Sequence, residues 1–109
     1  MDKLSFITLL LDFYGNLLTE KQKMIMSYHF EEDMSLSEIS EELNISRQAV
    51  HDIIKRSEKT LIQYEDELKL VDKFLKQRQK LIEVRNLLNE IDDDEIKKAI
   101  DIIDELIEL

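Results

Sequence analysis

Residues 36–61 read LSEISEELNISRQAVHDIIKRSEKTL, and the spacing predicts one helix, a three-residue turn and a second helix. Ser35 with Glu38 makes a capping-box pattern that opens the first of these, with Leu36, Ile39 and Leu43 as its core face. Asn44 follows where a helix commonly leaves in the left-handed region, which asparagine tolerates better than most side chains. Ile45 is the apolar residue of the turn, and Ser46 is placed to accept a hydrogen bond from a free amide of the next helix. Val50, Ile53 and Ile54 then face inward, leaving Arg47, Gln48, His51, Asp52 and Lys55 outward. A recognition helix lying in a nucleic-acid groove requires this arrangement.

Upstream, apolar periodicity predicts a helix from Leu4 to Tyr14 with Leu4, Ile7, Leu10, Leu11 and Tyr14 on one face, widened by Phe6 and Phe13. Gly15, the only glycine, is expected to end it as a left-handed cap. Thr19 and Gln22 repeat the capping-box pattern, so a second helix is expected over 20–30, burying Met24, Ile25 and Tyr28 with Leu17 or Leu18. Downstream, Val50, Ile54, Ser57, Leu61, Tyr64 and Leu68 keep four-three spacing, whereas Leu70, Phe74, Leu81, Val84, Leu88 and Ile91 follow a displaced track. The change of phase places a break near Lys69. A last helix from Asp94 to Ile107, capped by Asp92 or Asp93, stripes Ile96, Ala99, Ile100, Ile103, Leu106 and Ile107 on one face. The reading is an all-α chain: a helix-turn-helix bundle over 1–68 and a C-terminal helical hairpin over 69–109, together one compact unit.

Composition agrees. The 109 residues include no proline and one glycine, with 37% charged side chains, as long helices do. There is no cysteine, so disulfides and thiolate metal sites are excluded. The opening MDKLSFITLLLDFYG has a short apolar run broken by Asp12 and no basic leader, so neither a signal peptide nor a membrane span is expected, and a soluble cytoplasmic protein is. The net charge is −10, the wrong sign for binding by phosphate neutralisation. Residues 1–18 carry one basic and two acidic groups, 19–60 six and nine, and 61–109 eight and fourteen, so the excess gathers downstream of the motif. A short basic strip survives inside the second helix of the motif. Arg47, Gln48, His51, Lys55, Arg56 and Lys59 are accordingly the expected nucleic-acid-binding surface.

Other chemistries find no support in the pattern. His29 and His51, the only histidines, have no third ligand, so no metal is expected. Asp92-Asp93-Asp94-Glu95 lacks the glycine and final glutamate of a calcium loop. No phosphate-cradling glycine loop and no serine or histidine constellation points to an enzyme or a cofactor. The C-terminal apolar tracks exceed what so small an interior absorbs, so a homodimer through these helices is expected, with Leu81 and Leu88 as its test positions.

The segments LTEKQKMIMSYHF (18–30) and SLSEISEELNISRQAVHDI (35–53) resemble region 4 of bacterial sigma factors. In that region the residues matching Arg47 and Gln48 lie at the groove-facing start of the recognition helix, and those matching Ala49, His51 and Asp52 are commonly basic or amide groups. Here Ala49 has lost a phosphate contact and Asp52 would repel one. LDFYGNLLTEKQ, ISRQAVHDIIKR and the YEDEL of 64–68 are closer still to the YlxM family, small helix-turn-helix-like proteins typically encoded beside the GTPase of the signal recognition particle. The resemblance covers nearly all of residues 4–70. It implies a role in the signal recognition particle pathway, through the operon's DNA, the particle's RNA or its GTPase. The rival expectation is a protein-protein adaptor that keeps the scaffold without binding nucleic acid, and the acidic balance supports it.

Overall fold

Nearly every helix begins where a short polar side chain accepts its free amides, as seen in the computed structural model, which describes residues 1–109. Six α-helices and no strand follow: α1 (Lys3–Tyr14), α2 (Glu20–Phe30), α3 (Leu36–Leu43), α4 (Arg47–Leu68), α5 (Leu70–Leu88) and α6 (Asp94–Glu108). Asp2 Oδ1 accepts the Ser5 N–H at 2.8 Å, a bond that holds the Asp2 carboxyl below its ordinary pKa. Both capping boxes, Thr19 with Gln22 and Ser35 with Glu38, are closed in both directions.

Gly15 corrects an expectation. It is right-handed, at φ −56° and ψ −34°, and begins a short 3-10 turn (Gly15–Leu17) rather than leaving α1 in a left-handed cap. A Cβ built on it would meet only Leu11 Cδ2 at 3.8 Å, an ordinary van der Waals distance. Gly15→Ala should therefore stabilise the chain by about 0.4–1 kcal/mol, because the unfolded state loses freedom and the folded state gains no strain. Urea midpoints of the two proteins check this; a loss of stability would show that the site needs glycine.

The chain divides into two units, Met1–Val71 and Asp72–Leu109. In the first, α4 packs against α1, α2 and α3. The core gathers Ile7, Leu10, Leu11 and Tyr14 of α1, Leu18, Ile25 and Met26 around α2, Ile39 of α3, and Val50, Ile54 and Leu61 of α4. Met26 is fully buried while Met24 is 38% exposed. The inward stripe of α2 is Gln22, Ile25, Met26 and His29, and its polar ends disguised it behind a more apolar neighbouring face. Leu4, in the first turn of α1, is likewise exposed, and Leu18 rather than Leu17 is the buried residue of the entry loop.

The break falls at Lys69, which is left-handed at φ 58°. Lysine has no side-chain device for that region, so the surroundings must impose it. They do so through two buried groups at the joint. The Tyr14 hydroxyl donates to Glu65 Oε1 at 2.6 Å and accepts the Leu70 N–H at 3.1 Å, while the same Glu65 oxygen accepts the Val71 N–H at 2.9 Å. These two side chains together do for α5 what a serine or aspartate cap does elsewhere: they satisfy its first free amides and place negative charge at its positive end. The Tyr14 ring also stacks on Tyr64, with centroids 5.9 Å apart. Burial, reinforced by the hydrogen bond to Glu65, raises the Tyr14 hydroxyl above its usual pKa.

In the second unit, α5 from Asp72 onward and α6 form an antiparallel hairpin, tied by Arg85 Nε to Asp104 Oδ1 at 2.8 Å. Asp93 caps α6, accepting the amides of Glu95 and Ile96. Leu81 and Leu88 are half-buried, as are Ile96, Ile100 and Ile103, yet no residue of α6 is fully buried. No helix is long and apolar enough to cross a membrane.

Candidate nucleic-acid interface

The turn between α3 and α4 is built from local hydrogen bonds. Asn44 adopts the left-handed conformation, φ 55° and ψ 46°, and the N–H groups of Asn44 and Ile45 both donate to the Ser40 carbonyl. The Ser40 hydroxyl donates in turn to the Ile45 carbonyl, and Ile45 is half-buried. Ser46 is extended and its hydroxyl accepts the Ala49 N–H at 3.0 Å, which starts α4. Val50 and Ile54 anchor that helix in the core. Ser46→Ala should cost about 1 kcal/mol of stability. Ser57→Ala should be near neutral although Ser57 is fully buried, because its hydroxyl only returns to the Ile53 carbonyl within the same helix. Denaturation of both variants checks the pair; equal midpoints would contradict a helix start at Ser46.

Arg47, Gln48, His51, Lys55, Arg56 and Lys59 are all exposed along the outer side of α4. Their electrostatic state divides them. Arg47, Arg56 and Lys59 form no ion pair. Gln48 Nε2 donates to Asp52 Oδ1 at 2.9 Å, and His51 Nδ1 lies 3.6 Å from the same carboxylate oxygen. Lys55 Nζ sits 3.8 Å from Glu58, which Lys3 Nζ of α1 approaches at 3.6 Å. Two carboxylates thus stand among the cations. Partly exposed pairs of this kind are worth about 0–1 kcal/mol, so a phosphate can displace them, but at a cost to affinity.

Lys3 and Glu58 were outside the expected surface. Glu58 falls four residues after Ile54 and three before Leu61, on the inward side of α4, and that position was the available signal. Nothing local marks Lys3, which reaches the surface only because α1 packs on α4. Beside this face a groove of about 400 Å³ runs over Leu4, Phe30, Leu36 and Ile54, flanked by His29 and His51. The His29 ring nitrogen Nδ1 faces the Met34 carbonyl at 2.9 Å and must carry the proton there, since a carbonyl only accepts. No cluster of three or more histidine or carboxylate groups is placed to hold a metal ion.

Comparison with known proteins places this geometry in a family. A profile described as "Putative helix-turn-helix protein, YlxM / p13 like" matches residues 1–106. A UPF0122 protein of Desulforamulus reducens is 52% identical over 83 residues, covering 76% of this chain and 71% of that protein. One from Bacillus mycoides is 41% identical over 108 residues, 97% and 98% of the two chains. One from Shouchella clausii is 47% identical over 88 residues, 81% of each. A profile match along almost the whole length, with relatives that cover it end to end, leaves one conclusion: the chain belongs to the UPF0122 family of YlxM/p13-like helix-turn-helix proteins.

Proposed function

We propose that this protein is a non-enzymatic, cytoplasmic regulator that binds nucleic acid through the outer face of α4 and acts in the signal recognition particle pathway. The observation that carries the reading is the α3–α4 unit itself: a left-handed Asn44, a Ser46 cap and six exposed polar or basic side chains on the helix that follows. Arg47, Gln48 and His51 at the start of α4 would approach base edges, with Lys55, Arg56 and Lys59 on phosphates. The pathway rests on the resemblance to the YlxM family, which offers the operon's DNA, the particle's RNA and its GTPase as partners. The protein acts as a homodimer through α5 and α6. Support for that comes from α6, whose apolar face is well ordered along one side yet gains no fully buried residue within the chain.

A second reading, an adaptor without nucleic-acid affinity, is favoured by one specific observation: Asp52 occupies the middle of the face and ties up Gln48 and His51. Gel shifts with operon DNA and with signal recognition particle RNA, at low and moderate salt, separate the two. Binding that weakens with salt supports the regulator; no shift with either nucleic acid at low salt makes the adaptor the better account.

A further inference from the structure

The outer side of the α5–α6 hairpin carries an apolar strip. Val84 and Leu87 on α5 are 44% and 75% exposed, Ile91 in the turn after it is 50% exposed, and Ile102 and Leu106 on α6 are 59% and 46% exposed. A groove of about 520 Å³ lies along it, lined by Lys76, Gln77, Lys80, Leu81, Val84 and Leu106. Residues scattered singly would need no explanation, but Val84 and Leu87 on α5 and Ile102 and Leu106 on α6 recur at helical spacing on adjoining helices, and Val84 and Leu106 line one groove.

The charges beside the strip identify what covers it. Residues 73–80, KFLKQRQK, hold four basic groups and no acidic one, whereas residues 90–95, EIDDDE, hold five acidic groups and no basic one. These blocks lie on opposite sides of Val84 in the chain. Lys76 is eight residues before Val84 on α5, about 12 Å away at ~1.5 Å per residue, and Asp92 lies in the turn beyond the end of α5. Their side chains are open to solvent: Lys76 and Lys80 are 74% and 80% exposed, and Asp92 and Glu95 are 96% and 83% exposed. Their present pairs, Lys76 with Asp72, Lys80 with Glu83, Asp92 with Lys97 and Glu95 with Lys98, are exposed ones of little worth that a partner can displace.

The geometry points to a second copy of this chain as the occupant, set antiparallel across a two-fold axis between the basic block and the acidic turn. That axis lays strip on strip and brings the basic block of each copy against the acidic turn of the other. The contact is isologous, so each complementary charge pairing occurs twice and the surface is consumed without leaving an open end. Placing the two hairpins side by side in parallel would instead set lysines on lysines. The inference rests on the homodimer reading and specifies its register.

Sedimentation of the full chain at tens of micromolar tests both levels. The parent should be a dimer that loosens with salt. Lys76→Glu with Lys80→Glu should raise the dimer dissociation constant about tenfold or more at low salt, and Glu90→Lys with Asp92→Lys should do the same. An equimolar mixture of these two variants should recover association, because one reversed block then faces the other. Val84→Glu, at a position already exposed, should leave the chain monomeric with unchanged helicity by circular dichroism. A monomeric parent overturns self-association altogether and gives the strip to a different protein. A dimer indifferent to the reversals, or one that the mixture fails to restore, keeps self-association but overturns this pairing.

Discussion

Replacing Tyr14 by phenylalanine is expected to cost about 2–3 kcal/mol of stability, far more than removing a hydroxyl from a surface tyrosine. The ring would still fill its place against Tyr64, so the loss isolates the hydrogen bonds. Two hydrogen bonds are lost. The Leu70 N–H loses its acceptor, and Glu65, 9% exposed, loses the donor at 2.6 Å. Glu65→Leu should be as damaging, since it leaves the Tyr14 hydroxyl without an acceptor and the Val71 N–H without a partner; Glu65→Gln, which retains an acceptor, should cost less. Chemical denaturation of the three variants gives the order directly, and a Tyr14→Phe midpoint equal to the parent's would show that the Lys69 joint is held by something else.

The same contact sets an alkaline limit. The Tyr14 hydroxyl has a raised pKa in the folded chain, through burial and then the bond to Glu65. Its contribution is fully present below the ordinary tyrosine value of 10.0 and is lost as the pH climbs through the raised folded value, because only the unfolded chain gives up the proton readily there. Stability of the parent should therefore fall above about pH 10, and Tyr14→Phe should flatten that limb of the curve.

The parts of this fold that were legible in advance are those whose cause is local. Thr19 with Gln22, Ser35 with Glu38, Asn44 and Ser46 each act within a few residues of their own position, and each forms the bond its pattern implies. The Lys69 break was legible for a different reason, as a shift in hydrophobic phase that a single straight helix cannot serve. What escaped is long-range. Glu65 reads as a surface residue of a YEDEL run until Tyr14, distant in sequence, is folded against it. Gly15 fits a left-handed cap by position, but Leu18 has to return to the core, and a right-handed 3-10 turn gets it there. The exposure of the α4 face followed from helical periodicity, while the pairing of Asp52 with Gln48 and His51 depends on rotamers that periodicity does not determine.

The second large effect concerns that face. Arg47→Ala with Lys55→Ala should abolish specific nucleic-acid binding and leave the fold intact. Both side chains are exposed, Arg47 forms no ion pair, and Glu58 keeps Lys3 when Lys55 is gone. Any background binding to duplex DNA should be weak, about 10⁻⁴ M or poorer at physiological salt, given Asp52 within the surface and the acidic surplus downstream. Removing two phosphate contacts should also make the salt dependence of the remaining affinity shallower by about 1–2 in log–log slope. Fluorescence anisotropy titrations of the parent and this double variant, against operon DNA and signal recognition particle RNA over a range of salt, measure affinity and slope together. Binding by the parent that weakens with salt and is lost in the double variant is the predicted result; a variant that binds as tightly as the parent would show that the helix-turn-helix face is not the binding surface.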